Sequence, residues 1–286
     1  MGRVAELGSL GGTTRITNMW FKKRSSRPTA EDAARRLIIL KHVVASALIA
    51  PPRDMLRQMT EQWGTDERDK FSRQAETQRE QFWRGLRDAG LWQHLSPREQ
   101  AHAQSNLVTM TQQQQAEASW RMEAAQTLMW ALGLLPEMSP YDAMASHDLL
   151  KQIPSDDVAA FVRSARLRDE AEIERAREVA EFWHWRSRTR ELIERGDAFP
   201  ADEKMKAAGF NSYDDIVRFS ARNGAQEGTI PACIGDDFPT KGKAYRDLSE
   251  EEWSEISSIT TERHFALNWL SGRAPGNKWD ETPTDT

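Results

Sequence analysis

Apolar residues in this chain recur at three- and four-residue spacing through most of its length, the period that lines one face of an α-helix. Thr29, with Asp32 three residues on, forms a capping box ahead of Leu37, Leu40, Val43/Val44, Ala47 and Leu48, and Pro51-Pro52 close this first helix. The pattern predicts further helices over 54–63 and 66–89, the second laced with mixed charge and ended by Gly90. Ser96-Pro97-Arg98-Glu99 combines a serine cap, a first-position proline and a reciprocal glutamate, three signals for one helix start.

The stretch 119–132 is apolar almost all round, with Trp120, Met122, Ala124, Ala125, Leu128, Met129 and Trp130 before Gly133, so it reads as the central core helix. Weaker helices follow over 141–151 and 156–165, a long one over 170–194, and short ones over 201–208 and, capped by Ser212, 213–222. Residues 223–248 hold four Gly and two Pro without any period and read as one long irregular loop, with room for a stray hairpin. Ser249 and Glu252 cap a last helix reaching about Leu270. The expected fold is all-α: a single compact multi-helix domain over 28–286, preceded by a flexible basic arm over 1–27 and finished by a docked C-terminal tail. Met19 could equally begin the ordered chain.

Composition narrows the picture. With 286 residues, 38% hydrophobic and 29% charged, the chain can bury a full core, and disorder as the dominant state is excluded. The net charge of −5 is unevenly spread: six basic residues and one acid in 1–27, against nine acids and three basic residues in 247–286. Such a chain lacks the contiguous basic footprint of a nucleic-acid binder. The apolar run 37–50 is about 14 residues, short of the roughly 20 that span a bilayer, and the charges before and within it do not suit a signal peptide. A single cysteine, Cys233, excludes an intramolecular disulfide and a Cys-based zinc site, and fits a reducing cytoplasm.

Familiar catalytic signatures are missing. Gly8, Gly11 and Gly12 lack the spacing of a dinucleotide fingerprint, Gly242-Lys243 is followed by Ala244 where a P-loop needs a hydroxyl, and no serine sits in a Gly-x-Ser-x-Gly elbow. The six histidines make no His-Glu-x-x-His pair, so neither metal nor cofactor is implied. His184, within Phe182-Trp183-His184-Trp185, is expected to be a buried histidine satisfied by a hydrogen bond, and His264 similarly. Arg263 carries the best physical clue: with Trp253, Ile256, Thr260, Leu267 and Leu270 it follows inward-facing spacing, so its guanidinium needs a carboxylate. Glu123 of the central helix and Asp280 or Asp285 of the tail are the candidate acceptors. Eleven tryptophans read mainly as core, and joint exposure of Trp20, Trp63 or Trp92 would mark a protein-binding surface.

Several stretches, taken together, resemble a known family. Ser119-Trp120-Arg121-Met122-Glu123-Ala124-Ala125 with Trp130-Ala131-Leu132-Gly133-Leu134, Glu262-Arg263-His264-Phe265-Ala266-Leu267-Asn268-Trp269-Leu270, and Trp279-Asp280-Glu281-Thr282-Pro283-Thr284-Asp285-Thr286 are similar to the bacterial family catalogued as domain of unknown function 4272. The first helix, from Ala30 to Arg36, and Trp183-His184-Trp185-Arg186 fit the same pattern. The resemblance spans about 27–286, fades over 199–245 as if by an insertion, and brings no established reaction. The resulting expectation is a cytoplasmic, non-enzymatic protein-binding protein, in its most concrete form an immunity protein that neutralises a bacterial toxin, with no nucleic-acid or membrane partner. The alternative is an enzyme gathering Arg121, Glu123, His184, Glu262, Arg263 and His264 around one pocket; Asn268, Asp280 and Asp285 complete the candidate structural or pocket residues.

Overall fold

The structure, a computed structural model, describes residues 26–106, 108–200 and 202–285. The expected arm over 1–27, the choice between Met1 and Met19, and Trp20 therefore fall outside the described residues, except that Arg27 pairs with Glu170 at 2.8 Å. Ten α-helices are formed by the described residues: α1 (Ala30–Ile49), α2 (Arg53–Glu61), α3 (Thr65–Asp88), α4 (Pro97–Gln104), α5 (Gln112–Ala131), α6 (Val158–Ser164), α7 (Glu170–Glu194), α8 (Glu203–Ala207), α9 (Tyr213–Glu227) and α10 (Glu250–Leu270). The architecture is all-α, with one small hairpin.

Local chemistry sets the helix starts. Thr29–Asp32, Ser96–Glu99, Thr111–Gln114 and Ser249–Glu252 each make a full capping box. The four longest-packed helices lie in a row, α1 against α5, α5 against α10, and α10 against α7. Leu37, Ile38, Ile39, Leu40, Leu128 and Met129 are essentially inaccessible, which explains why α1 and α5 are apolar on more than one side. One core cluster joins α1, α5 and the second half of α10; another gathers Trp183, Ala221, Phe238, Tyr245, Ile256 and Ile259 between α7, α9 and the first half of α10.

The long loop is shorter than expected, because α9 runs on through residues 223–227 and ends at Gly228 in the left-handed region (φ 72°). The remaining loop holds β1 (Pro239–Thr240) and β2 (Lys243–Ala244), antiparallel with Pro239 opposite Ala244. Lys241 (φ 52°) and Gly242 (φ 76°) form a two-residue turn with both positions left-handed, the geometry that suits the strand twist. No α-helix forms over 141–151; only a 3₁₀ turn, His147–Gln152, appears. The carbonyls of Ser139, Pro140 and Ala143 are instead taken by Arg263, and a carbonyl bound to a buried guanidinium is poorly placed to build a helix.

The segment after α10 is docked. Trp279 is buried against Phe265, Trp269 and the Arg36 guanidinium, and Asp280 accepts the Arg98 backbone N–H at 2.9 Å, capping α4.

Candidate functional site

Three consecutive residues of α10, and a fourth one turn later, reach in different directions. Glu262 meets Arg121 of α5 at 3.0 Å. Arg263 donates from Nε to Glu123 Oε2 at 2.9 Å, from Nη1 to the carbonyls of Ser139 (2.5 Å) and Pro140 (3.1 Å), and from Nη2 to that of Ala143 (3.0 Å). His264 meets His184 of α7, Nδ1 to Nδ1, at 3.0 Å. Asn268 contacts both His264 Nε2 and the Pro283 carbonyl at 2.9 Å.

The Arg263–Glu123 pair is a sealed hub. Arg263 is 0% and Glu123 1% exposed, the free Glu123 oxygen accepts the Ala145 N–H at 2.6 Å, and Tyr141 lies under the guanidinium. A buried ion pair is tolerated only when its remaining hydrogen-bonding capacity is met, and here the loop over 139–145 meets it. Gln126 adds a second grip on Ser139, donating to its Oγ at 2.8 Å and accepting its N–H at 3.2 Å. Asp280 and Asp285, the other acceptors expected for Arg263, do not reach it: Asp280 caps α4, and Asp285 acts on His184 only through its charge.

Electrostatics separate the groups further. Burial raises the Glu262 carboxyl despite the opposing Arg121 charge. Burial also pushes His184 down to about 4, with the Arg188 charge adding to it, and holds His264 well below the usual imidazole value. Both rings are therefore neutral near pH 7.

A second buried pair had no sequence expectation. Asp237, in the aperiodic loop, is 0% exposed and accepts Arg186 Nε and Nη2, each at 2.7 Å, plus the N–H groups of Phe238 and Arg246. Burial alone would raise this carboxyl, and the Arg186 hydrogen bonds and charge more than reverse it. Arg186 could have been found as Arg263 was, since Trp183, Arg186 and Arg190 follow inward spacing on α7; Asp237 had no periodic neighbour to flag it.

Chemically, these groups staple helices: each charge faces another protein group, and the candidate residues divide among separate partners instead of converging on one reacting centre. Among the described residues no group of three or more His, Cys, Asp or Glu side chains is arranged to hold a metal ion, and no helix is long and apolar enough to cross a membrane. Trp63 and Trp92 are half-buried, Trp63 against Phe71 and Trp92 under the Arg87 guanidinium. The large exposed apolar side chains include Leu48, Ile49, Met55 and Met59, at the corner where α1 gives way to α2.

Fold and site thus define a helical domain held together by internal ion pairs. Residues 17–200 match the family described as Domain of unknown function (DUF4272), and the chain belongs to it. The match stops where the resemblance fades, so the similar-looking stretch 262–286 lies beyond it. Neither a curated protein nor a solved structure matches the chain.

Proposed function

We propose that this protein acts by binding another protein through its surface and not by catalysis, in a cytoplasmic setting that suits its lone cysteine. The observation that carries the reading is the corner of α1 and α2, where Leu48 (46% exposed), Ile49 (58%), Met55 (48%) and Met59 (44%) face solvent. Met55 and Met59 stand one turn apart on α2, and apolar side chains grouped on a surface are the usual mark of a contact site. Methionine is adaptable at such sites because its chain is unbranched and polarizable. The burial of Glu123, Arg263, His184 and His264 supports the same reading, since groups consumed in the interior are not offered to a substrate.

An immunity protein is the most concrete form. A chain of net charge −5 would be steered toward a basic toxin, with electrostatics setting the encounter rate and the apolar corner the lifetime. The enzyme alternative keeps one foothold, Glu262, whose raised carboxyl is 16% exposed beside Arg121. It is the weaker reading because the other groups it needs face different partners.

The test is affinity capture with the wild type and with Met55→Glu/Met59→Glu, followed by co-expression of any captured toxin to score growth rescue. The expected result is a specific partner held by the wild type and lost by the double variant, whose melting temperature stays within about 1–2 °C because both side chains are exposed. Recovery of no specific partner, or equal recovery by both proteins, counts against the proposal.

A further inference from the structure

The His184–His264 contact has an unusual property once its hydrogens are placed. Asn268 Nδ2 lies 2.9 Å from the Pro283 carbonyl and 2.9 Å from His264 Nε2. A carbonyl only accepts, so the bond to Pro283 fixes the amide with its NH2 toward the closing residues and toward His264. His264 Nε2 must then be a bare acceptor, which puts the ring's proton on Nδ1. That N–H donates across the 3.0 Å contact to the bare Nδ1 of His184, whose own proton sits on Nε2. The neutral pair has two hydrogens on four ring nitrogens and one arrangement that satisfies every contact.

Adding one proton leaves no freedom either. The Nδ1 to Nδ1 contact holds a single hydrogen and His184 Nε2 is already occupied. Whichever ring is protonated, the third hydrogen therefore resides on His264 Nε2, facing the Asn268 NH2. The amide must turn its Oδ1 toward that N–H, which also turns Oδ1 toward the Pro283 carbonyl, acceptor against acceptor. We propose that Asn268 is a proton-operated latch: residues 283–285 are held while the His184–His264 pair is neutral and released when the pair takes up one proton.

The charges around the pair come from three directions. Arg177, Arg188 and Glu191 act from α7, Arg273 from the turn after α10, and Asp285 from the latched residues themselves. The three arginines oppose the added proton, while Glu191 and Asp285 favour it. Release takes away the Asp285 charge that favours the proton, so the coupling is carried by Asn268, whose Oδ1 cannot face the Pro283 carbonyl; both rings, 4% and 1% exposed, are kept neutral mainly by burial. The proton and the docked residues thus compete for one state of the pair, which is the linkage a switch requires.

Nitrogen-edited NMR on the full chain tests this across acidification. The imidazole nitrogens report the tautomer, and the backbone amides of Thr284 and Asp285 report docking. The expected result is a His264 Nδ1–H tautomer at neutral pH. On acidification Nε2 gains its proton, and in the same step the Thr284 and Asp285 signals shift to unstructured positions while the Trp183 and Trp269 indole signals stay native. Asn268→Asp places an oxygen where Nδ2 stands and is expected to free the residues at neutral pH. The proposal is overturned if the pair titrates with the residues still docked, or if they detach only together with the Trp269 indole. A folded Asn268→Asp protein that keeps them docked at neutral pH overturns it equally; should that variant fail to fold, the wild-type titration decides alone.

Discussion

Arg263 has five N–H donors and no acceptor, and it stands in a row with Ile256, Thr260, Leu267 and Leu270 that points inward. That combination calls for a carboxylate partner on sequence grounds alone, and Glu123, the single acid within the apolar stretch 119–132, has the complementary need. The same pairing fixes what its loss should do. Removing one member strands the other charge away from water, so Glu123→Gln is expected to cost about 3–5 kcal/mol in a denaturant titration. Replacing both, as Glu123→Met/Arg263→Met, should recover only part of that loss, because the carbonyls of Ser139, Pro140 and Ala143 then have no donor. Full recovery in the double variant would mean that the loop contributes little. The histidines set a pH dependence of definite sign. His184, near 4, and His264, well below its ordinary value, stay neutral when folded but take up protons near 6.5 when unfolded. Burial lowers His42, His94 and His102 as well, so all five act in one direction. The unfolded state binds more protons as the pH falls, so this stability is complete above about 6.5 and is lost progressively toward about 4. Denaturation midpoints measured from about pH 7 to about pH 4.5 should fall steadily; a midpoint rising on acidification would contradict the neutral assignment.

Elements are legible in the sequence where a period or a cap speaks for them. Thr29, Ser96 and Ser249 mark true helix starts, and the span of α7 matches its expected range because Glu170 to Glu194 carries uninterrupted helical spacing up to Gly196. The departures share a cause: partners distant in sequence. Residues 141–151 have helical spacing, but Arg263 takes the Ala143 carbonyl and those of Ser139 and Pro140 just before them, and the order of the 229–248 loop depends on Asp237 meeting Arg186, 51 positions away. Neither fact leaves a trace in local periodicity. The closing segment lies between these cases, since its aromatic and acidic residues advertise docking but not where. Its anchor is Trp279, packed edge-on against Phe265 at 4.8 Å and Trp269 at 5.1 Å. Trp279→Ala should therefore cost about 3–5 kcal/mol, read as a lower melting temperature, and removal of residues 279–286 should cost at least as much. An unchanged melting temperature would show that the segment merely rests on the surface.

At the scale of the whole molecule, α10 belongs to both core clusters, giving Phe265, Leu267 and Leu270 to one and Ile256 and Ile259 to the other. The family match over 17–200 ends before this helix begins. A fragment cut to that range would retain Glu123, but without the cation that neutralises it, and would open the faces of α5 and α7 to water together. Such a piece is expected to be insoluble or molten, with near-ultraviolet circular dichroism absent, and to regain order when α10 is supplied in trans. The stretch matched by the family model would thus fall short of what these two clusters need in order to close.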